Sequence, residues 1–209
     1  MRTDKYTDTI LDGLLERRTV LLTGDIDEGV IHEVRRRLLV LQMRSNDPIT
    51  FLIDSIGGCP AASLHLCDLM TTLMSAPIRG IAIGDCKSAA TFIMLHCAQR
   101  IGTPHSRYLI HSGSKKVTIS INHSTTEQVE QLLRDSKRTE ETVQRLYMNK
   151  LTPKAWEDTA PTPEERRAFV EQLLRRGDQR FDYTMSATEA LEVGLIQEIV
   201  EHKLDIFHS

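Results

Sequence analysis

Between Thr19 and Cys97 short apolar runs alternate with stretches of helical spacing, and this rhythm constrains the fold more than any other feature. TVLLTG (19–24), ITFLIDS (49–55) and IRGIAIG (78–84) have the length and apolar content of buried strands. IDEGVIHEVRRRLLVLQ (26–42), CPAASLHLCDLMTTLMSA (59–76) and SAATFIMLHCA (88–98) are read as helices, the first with its apolar residues at a period near 3.6. Strands separated by helices run parallel through right-handed crossovers, so the chain is expected to be an α/β protein. QRIGT and SRYLIH (106–111) supply two further short strands.

At 209 residues the chain suffices for one packed domain with an appendage. A net charge of -3 and 5% aromatic residues give neither a basic footprint nor a stacking platform for nucleic acid. The N-terminus MRTDKYTDTILDGLLERR lacks an apolar leader, and no apolar run approaches the about 18 residues of a membrane span, so no membrane contact and a cytoplasmic location are expected. Cys59, Cys67, Cys86 and Cys97 lack CxxC spacing and are expected to be reduced and buried. His96 precedes Cys97, but nothing completes a zinc ligand set, so neither metal nor other cofactor is expected.

After His111 the character changes. SGSKKVTISIN alternates like an exposed strand, with Val117, Ile119 and Ile121 on one face. Ser124 or Thr125 can cap the helix STTEQVEQLLRDSKRTEETVQRLYMNKL, whose Val129, Leu132 and Leu133 are too few to bury it well. A strand and long helix projecting from a core suggest a docking element for another subunit; a solvated surface helix is the plainer alternative. Beyond it, Thr162 caps and Pro163 opens a helix expected to stop near Arg176, before Gly177. FDYTMSATEALEVGLIQEIV then reads as a short strand, a capped helix ending near Gly194, and a last strand.

In parallel sheets functional groups gather beyond the carboxyl ends of the strands. Gly57-Gly58, Ser88 and His111 all fall there. Singly each has an ordinary explanation: serine caps helices, Gly-Gly makes turns, and a histidine ending a strand is usually structural. Together they suggest a serine hydrolase, in which His111 takes the Ser88 proton and backbone N–H groups beside the glycines and the helix start hold the oxyanion.

The same residues carry a family resemblance. FLIDSIGG is similar to Y-I-N-S-P-G-G, GDCKSAATFIML to G-x-A-A-S-M-G-A-F-L-L, and PHSRYLIH to P-N-S-R-x-M-I-H. DYTMSATEALEVGLIQEIV is similar to D-R-x-M-S-A-x-E-A-x-E-Y-G-L-I-D-x-V, and DTILDGLLERRTVLLTGDID to the first helix and strand of the same pattern. In this order the blocks resemble ClpP, the proteolytic subunits of the ATP-dependent Clp protease, within the ClpP/crotonase superfamily. The resemblance implies a spiral of parallel strands and helices in a single domain. Its head would span about 1–111 and 181–209, a strand-helix handle about 112–150, and an insert about 152–180.

It further implies a serine endopeptidase with Ser88 as nucleophile, His111 as base and Asp182 as acid. Backbone N–H groups of Gly57 and Ala89 would form the oxyanion hole. Handles would stack seven-membered rings into a chamber that degrades unfolded polypeptides. ATP would be used only by a partner AAA+ unfoldase, if any.

Several residues depart from the family pattern. Lys87 precedes the serine; neighbouring side chains diverge, so it is expected to pair with Asp85 or to line the groove as a modulator rather than to form a Ser-Lys dyad. Ala90 and Ile56 replace a glycine and a proline, and SGSKKVTIS replaces a glycine-rich segment. Only about seven residues precede the first helix, which would remove most of the axial loops that contact an unfoldase. The interval from His111 to Asp182 is longer than usual, through TPKAWEDTAPTPEERRAFVEQLLRRGDQR. Competing readings of the same fold are a scaffold subunit with a silent triad, a crotonase-type acyl-CoA enzyme, and a relative of signal-peptide peptidases.

Overall fold

A computed structural model describes residues 5–112, 126–179 and 183–203. After a first helix, α1 (Lys5–Glu16), the chain alternates: β1 (Thr19–Ile26), α2 (Glu28–Arg44), β2 (Ile49–Gly58), α3 (Pro60–Thr72), β3 (Ile78–Lys87) and α4 (Ala89–Leu95). Two short strands, β4 (Gln99–Gly102) and β5 (Arg107–Leu109), follow. The second half holds α5 (Thr126–Lys150), a 3-10 turn Lys154–Trp156, α6 (Pro163–Gln179), α7 (Ala187–Glu192) and β6 (Glu198–Ile199).

The sheet runs β1-β2-β3-β4-β6, with β5 pairing the outer end of β3, and its ladders are parallel. The expected α/β class is therefore the observed one. Register sets what each face buries. Leu21 pairs with Leu52, Leu52 with Ile81, and Ile81 with Ile101, giving one apolar row across four strands. Their neighbours Val20, Leu22, Phe51, Ile53 and Ala82 alternate onto the other face, against Leu38 and Leu41 of α2, Leu66 of α3 and Ile93 of α4. Both faces are covered, which is why the strands read as apolar runs rather than as alternations.

Helix boundaries follow local chemistry. Asp27 caps α2 through the Val30 N–H at 2.7 Å. Thr162 and Glu165 form a reciprocal capping box at α6, and Ser186 with Glu189 another at α7. One expected stop is absent: α6 continues through Gly177 to Gln179. Gly177 is needed for proximity, because a Cβ there would collide with the Ile110 carbonyl oxygen and sit 2.9 Å from His111 Cβ.

The long helix behaves in two parts. Val143 and Tyr147 are buried at its C-terminal end, whereas Leu132 and Leu133 are 47% and 65% exposed. α6 packs on this end of α5, and beside it Trp156 stacks edge-on against Phe169, with Arg166 over its ring. The segment expected as an exposed strand (113–123) and the caps Ser124 and Thr125 lie outside the described residues, as does Asp182. Cys67, Cys86 and Cys97 are buried free thiols, but Cys59, at the α3 N-cap, is only half-buried. No described helix is long and apolar enough to cross a membrane.

Candidate active site

β2 and β3 end side by side, and the chain leaves both through unusual backbone. At the end of β2, Gly57 and Gly58 have φ of 95° and 151°, where only glycine is comfortable. At the end of β3, Ser88 has φ 52° and ψ -127°. For a residue with a side chain this conformation costs on the order of 1–3 kcal/mol and persists only where its surroundings enforce it. It is the geometry of a serine lifted above a strand-to-helix corner.

The surroundings do enforce it. The Ser88 N–H donates to the Leu109 carbonyl at 2.8 Å, which ties the corner to β5. The Ser88 carbonyl accepts from the Thr91 N–H at 2.9 Å and from Thr91 Oγ1 at 2.6 Å. Thr91 Oγ1 also lies 2.7 Å from the buried Tyr147 hydroxyl of α5. Because the single Thr91 hydroxyl hydrogen goes to Ser88, Tyr147 is the donor in that pair.

Ser88 occupies the N-cap position of α4 yet makes no capping hydrogen bond, so the expectation that it caps its helix is corrected. With φ positive its Oγ is turned away from the first-turn N–H groups. It lies instead 2.7 Å from His111 Nε2. Sequence placement at two strand ends anticipated this meeting, and the fold brings the two residues together.

A hydroxyl that donates to Nε2 requires the imidazole proton on Nδ1. The Nδ1 side faces Asp178, at the end of α6, with Nδ1 to Oδ1 at 3.9 Å. Asp178 is itself held by the Ser112 N–H at 3.1 Å and the Ser112 hydroxyl at 2.5 Å. Burial holds the His111 pKa below the usual imidazole value, partly opposed by the Asp178 charge. At neutral pH His111 is accordingly a neutral base.

Gly57 presses directly on the corner. A Cβ there would lie 2.6 Å from Ser88 Cβ and 3.0 Å from the Ala89 nitrogen. Its N–H, expected to face an oxyanion, donates to Ser55 Oγ at 3.1 Å, and the buried Ser55 hydroxyl donates onward to the Gly24 carbonyl at 2.6 Å. Ala89 opens α4, so its N–H has no partner four residues back in the helix.

Lys87 is the last residue of β3 rather than the first of a helix, and its Nζ pairs with Asp85 Oδ1 at 3.0 Å. Arg107 closes on the same carboxylate, Nε to Oδ1 at 2.9 Å. Lys87 therefore points along the strand to Asp85, as one expectation had it. A separate cleft of about 760 Å³, lined by Arg18, Asp47, Thr50, Arg79 and Gln99, lies at the amino ends of the strands, away from Ser88.

The sequence reading did not identify Ser55, Thr91, Tyr147, Ser112 or Asp178. Ser112 had a local signal, adjacency to His111. Asp178 had none, because its approach depends on the packing of α6.

The family model for Clp protease matches residues 2–203. Among curated relatives, the ATP-dependent Clp protease proteolytic subunit 2 of Treponema denticola is 31% identical over 205 residues, 95% of this chain and 90% of the relative. The ATP-dependent Clp protease proteolytic subunit of Streptococcus sanguinis is 29% identical, over 92% of this chain and 89% of its own. Subunit 3 of Streptomyces coelicolor is 26% identical, over 97% and 84%.

Proposed function

Since the chain belongs to the Clp protease family and is a serine-type peptidase, we propose that Ser88 is its nucleophile and His111 its general base. The observation that carries this reading is the 2.7 Å contact between Ser88 Oγ and His111 Nε2, made by a serine whose backbone is strained and whose side chain does not cap.

Chemistry follows from that contact. Ser88 Oγ attacks the peptide carbonyl carbon while its proton passes to Nε2. The carbonyl oxygen becomes an oxyanion beside the Ala89 N–H and the space that only a glycine at position 57 leaves open. His111 then gives the proton to the departing amine, which breaks the C–N bond. A water, deprotonated by the same nitrogen, releases the acyl group and restores Ser88. Asp182 is the acid carried over from the family resemblance.

The substrate we assign is unfolded polypeptide, admitted to a chamber of stacked rings of this chain. The exposed Leu132 and Leu133 on the outer part of α5 support self-association through that helix. Ile56, 57% exposed next to Gly57, offers an apolar side chain a place to rest beside the nucleophile. The relatives' names include ATP dependence; in this chain's assembly we assign ATP use to an unfoldase partner.

One observation favours a second reading, a scaffold subunit with a silent site: the Gly57 N–H is held by Ser55 Oγ. Intact-mass spectrometry after a fluorophosphonate probe separates the two. A single adduct that disappears in Ser88→Ala supports the peptidase site, and no adduct on the assembled protein sinks it.

A further inference from the structure

Asp178 stands where helix energetics would not put a carboxylate. It lies in the last turn of α6, whose carbonyl end repels negative charge. The residue before it is Gly177, a poor helix former that lets α6 meet the end of β5. Neither choice favours the helix, and both bring this carboxylate to His111.

Three contacts fix it there. Ser112, the residue after His111, donates to both carboxylate oxygens from its N–H and its hydroxyl. Oδ1, which accepts the N–H, also lies 3.9 Å from His111 Nδ1, an ion-pair distance longer than a hydrogen bond. The opposite nitrogen of the ring is committed to Ser88 at 2.7 Å. A ring accepting at Nε2 carries its proton on Nδ1, and that proton faces Asp178.

We propose that Asp178 is a positioning carboxylate of His111, helping to hold the imidazole in the tautomer that accepts the Ser88 proton and to stabilise the imidazolium that results. The proposal rests on His111 being the base of the proposed peptidase site. Its consequence is that a residue of the insert, on α6, takes part in setting the base. Charges facing His111 come from α6 alone among the described residues, through Asp178; the α4 corner presents Ser88, and the residue after His111 is Ser112, both neutral. Asp178 is 40% exposed, so its field on the ring is partly screened.

The test compares Asp178→Asn, Asp178→Glu and Asp182→Asn in the assembled protein. Asparagine keeps one of the two acceptors that Ser112 uses and its NH2 can donate to the Ser112 hydroxyl, so the contact is retained in part while the charge is lost. The first readout is peptide hydrolysis as a function of pH. In Asp178→Asn we expect kcat to fall about 10- to 100-fold with KM within about twofold, and Asp178→Glu to recover most of it. The second readout is the His111 ring pKa, followed by NMR of histidine-labelled protein in a Ser88→Ala background. Removing the charge should lower that pKa by about half to one unit, the low end for an opposite charge because of the exposure.

A His111 pKa that does not move in Asp178→Asn overturns the proposal, as does unchanged kcat in that variant beside a collapse in Asp182→Asn. The NMR readout needs no activity. A protein that never hydrolyses peptide would defeat the peptidase reading, while the titration would still decide whether Asp178 acts on His111.

Discussion

Tyr147 on α5 and Thr91 on α4 share a 2.7 Å hydrogen bond in which the phenol donates, and Thr91 in turn donates to the carbonyl of Ser88. The foot of the long helix is thereby joined to the backbone of the nucleophile. Phe92 packs edge-on against the same ring, with centroids 5.7 Å apart.

This arrangement predicts an asymmetry. Tyr147→Phe removes the donor and leaves Thr91 with its bond to Ser88, so it should cost about 1 kcal/mol. Thr91→Val leaves the Tyr147 hydroxyl buried with no acceptor, and it also frees the Ser88 carbonyl of one bond, so about 2–3 kcal/mol is expected. Urea unfolding of both variants checks the order, and equal losses would contradict the assigned donor.

The pH dependence has a definite sign. Burial lowers the His111 pKa, so the imidazole stays neutral to a lower pH than a free histidine. Peptide hydrolysis should rise with pH and reach half its plateau below the ordinary imidazole value of about 6.5. The same shift acts on stability: an unfolded chain takes up the His111 proton first as pH falls, so folding stability drops below about pH 6.5. A kcat/KM profile with its acid limb above that value would contradict the desolvated base.

Gly57→Ala should abolish turnover while leaving the sheet intact. The added Cβ falls 2.6 Å from Ser88 Cβ, and the backbone at φ 95° disfavours any L side chain. We expect kcat/KM to fall by at least about 100-fold with an unchanged far-ultraviolet circular dichroism spectrum, since misplacement of about 1 Å at a reacting centre has that scale of effect.

Lys87→Met should leave the nucleophile reactive. The ammonium is engaged by Asp85, and Arg107 remains on that carboxylate after the substitution. Fluorophosphonate labelling of Ser88 within about threefold of the parent is the expected result, since the ammonium is turned to Asp85 while the Ser88 hydroxyl is turned to His111. A loss of labelling would restore the Ser-Lys dyad.

The first three strands were legible because both sheet faces are buried and each announces itself as an apolar run, with Gly or Pro near an end. Ser88 and His111 were legible as a pair, through topology rather than through any single motif. The serine's backbone was not, since a serine before an alanine-rich helix reads as a cap; positive φ comes from the Leu109 and Thr91 contacts, which are tertiary. Gly177 read as a stop for the same reason: local propensity knows nothing of the Ile110 carbonyl that needs the missing Cβ. Asp178 depends on the second of these, since it is the turn after Gly177 that carries it to His111.

The outer turns of α5 have a last consequence. Its 25 residues extend about 37 Å at 1.5 Å per residue, and its buried residues, Val143 and Tyr147, lie in the final turns against the core. A polar helix anchored at one end frays from the other when nothing covers it. Amide exchange along Thr126–Leu133 should therefore act as a gauge of assembly, slowing as protein concentration rises while exchange in the sheet stays constant.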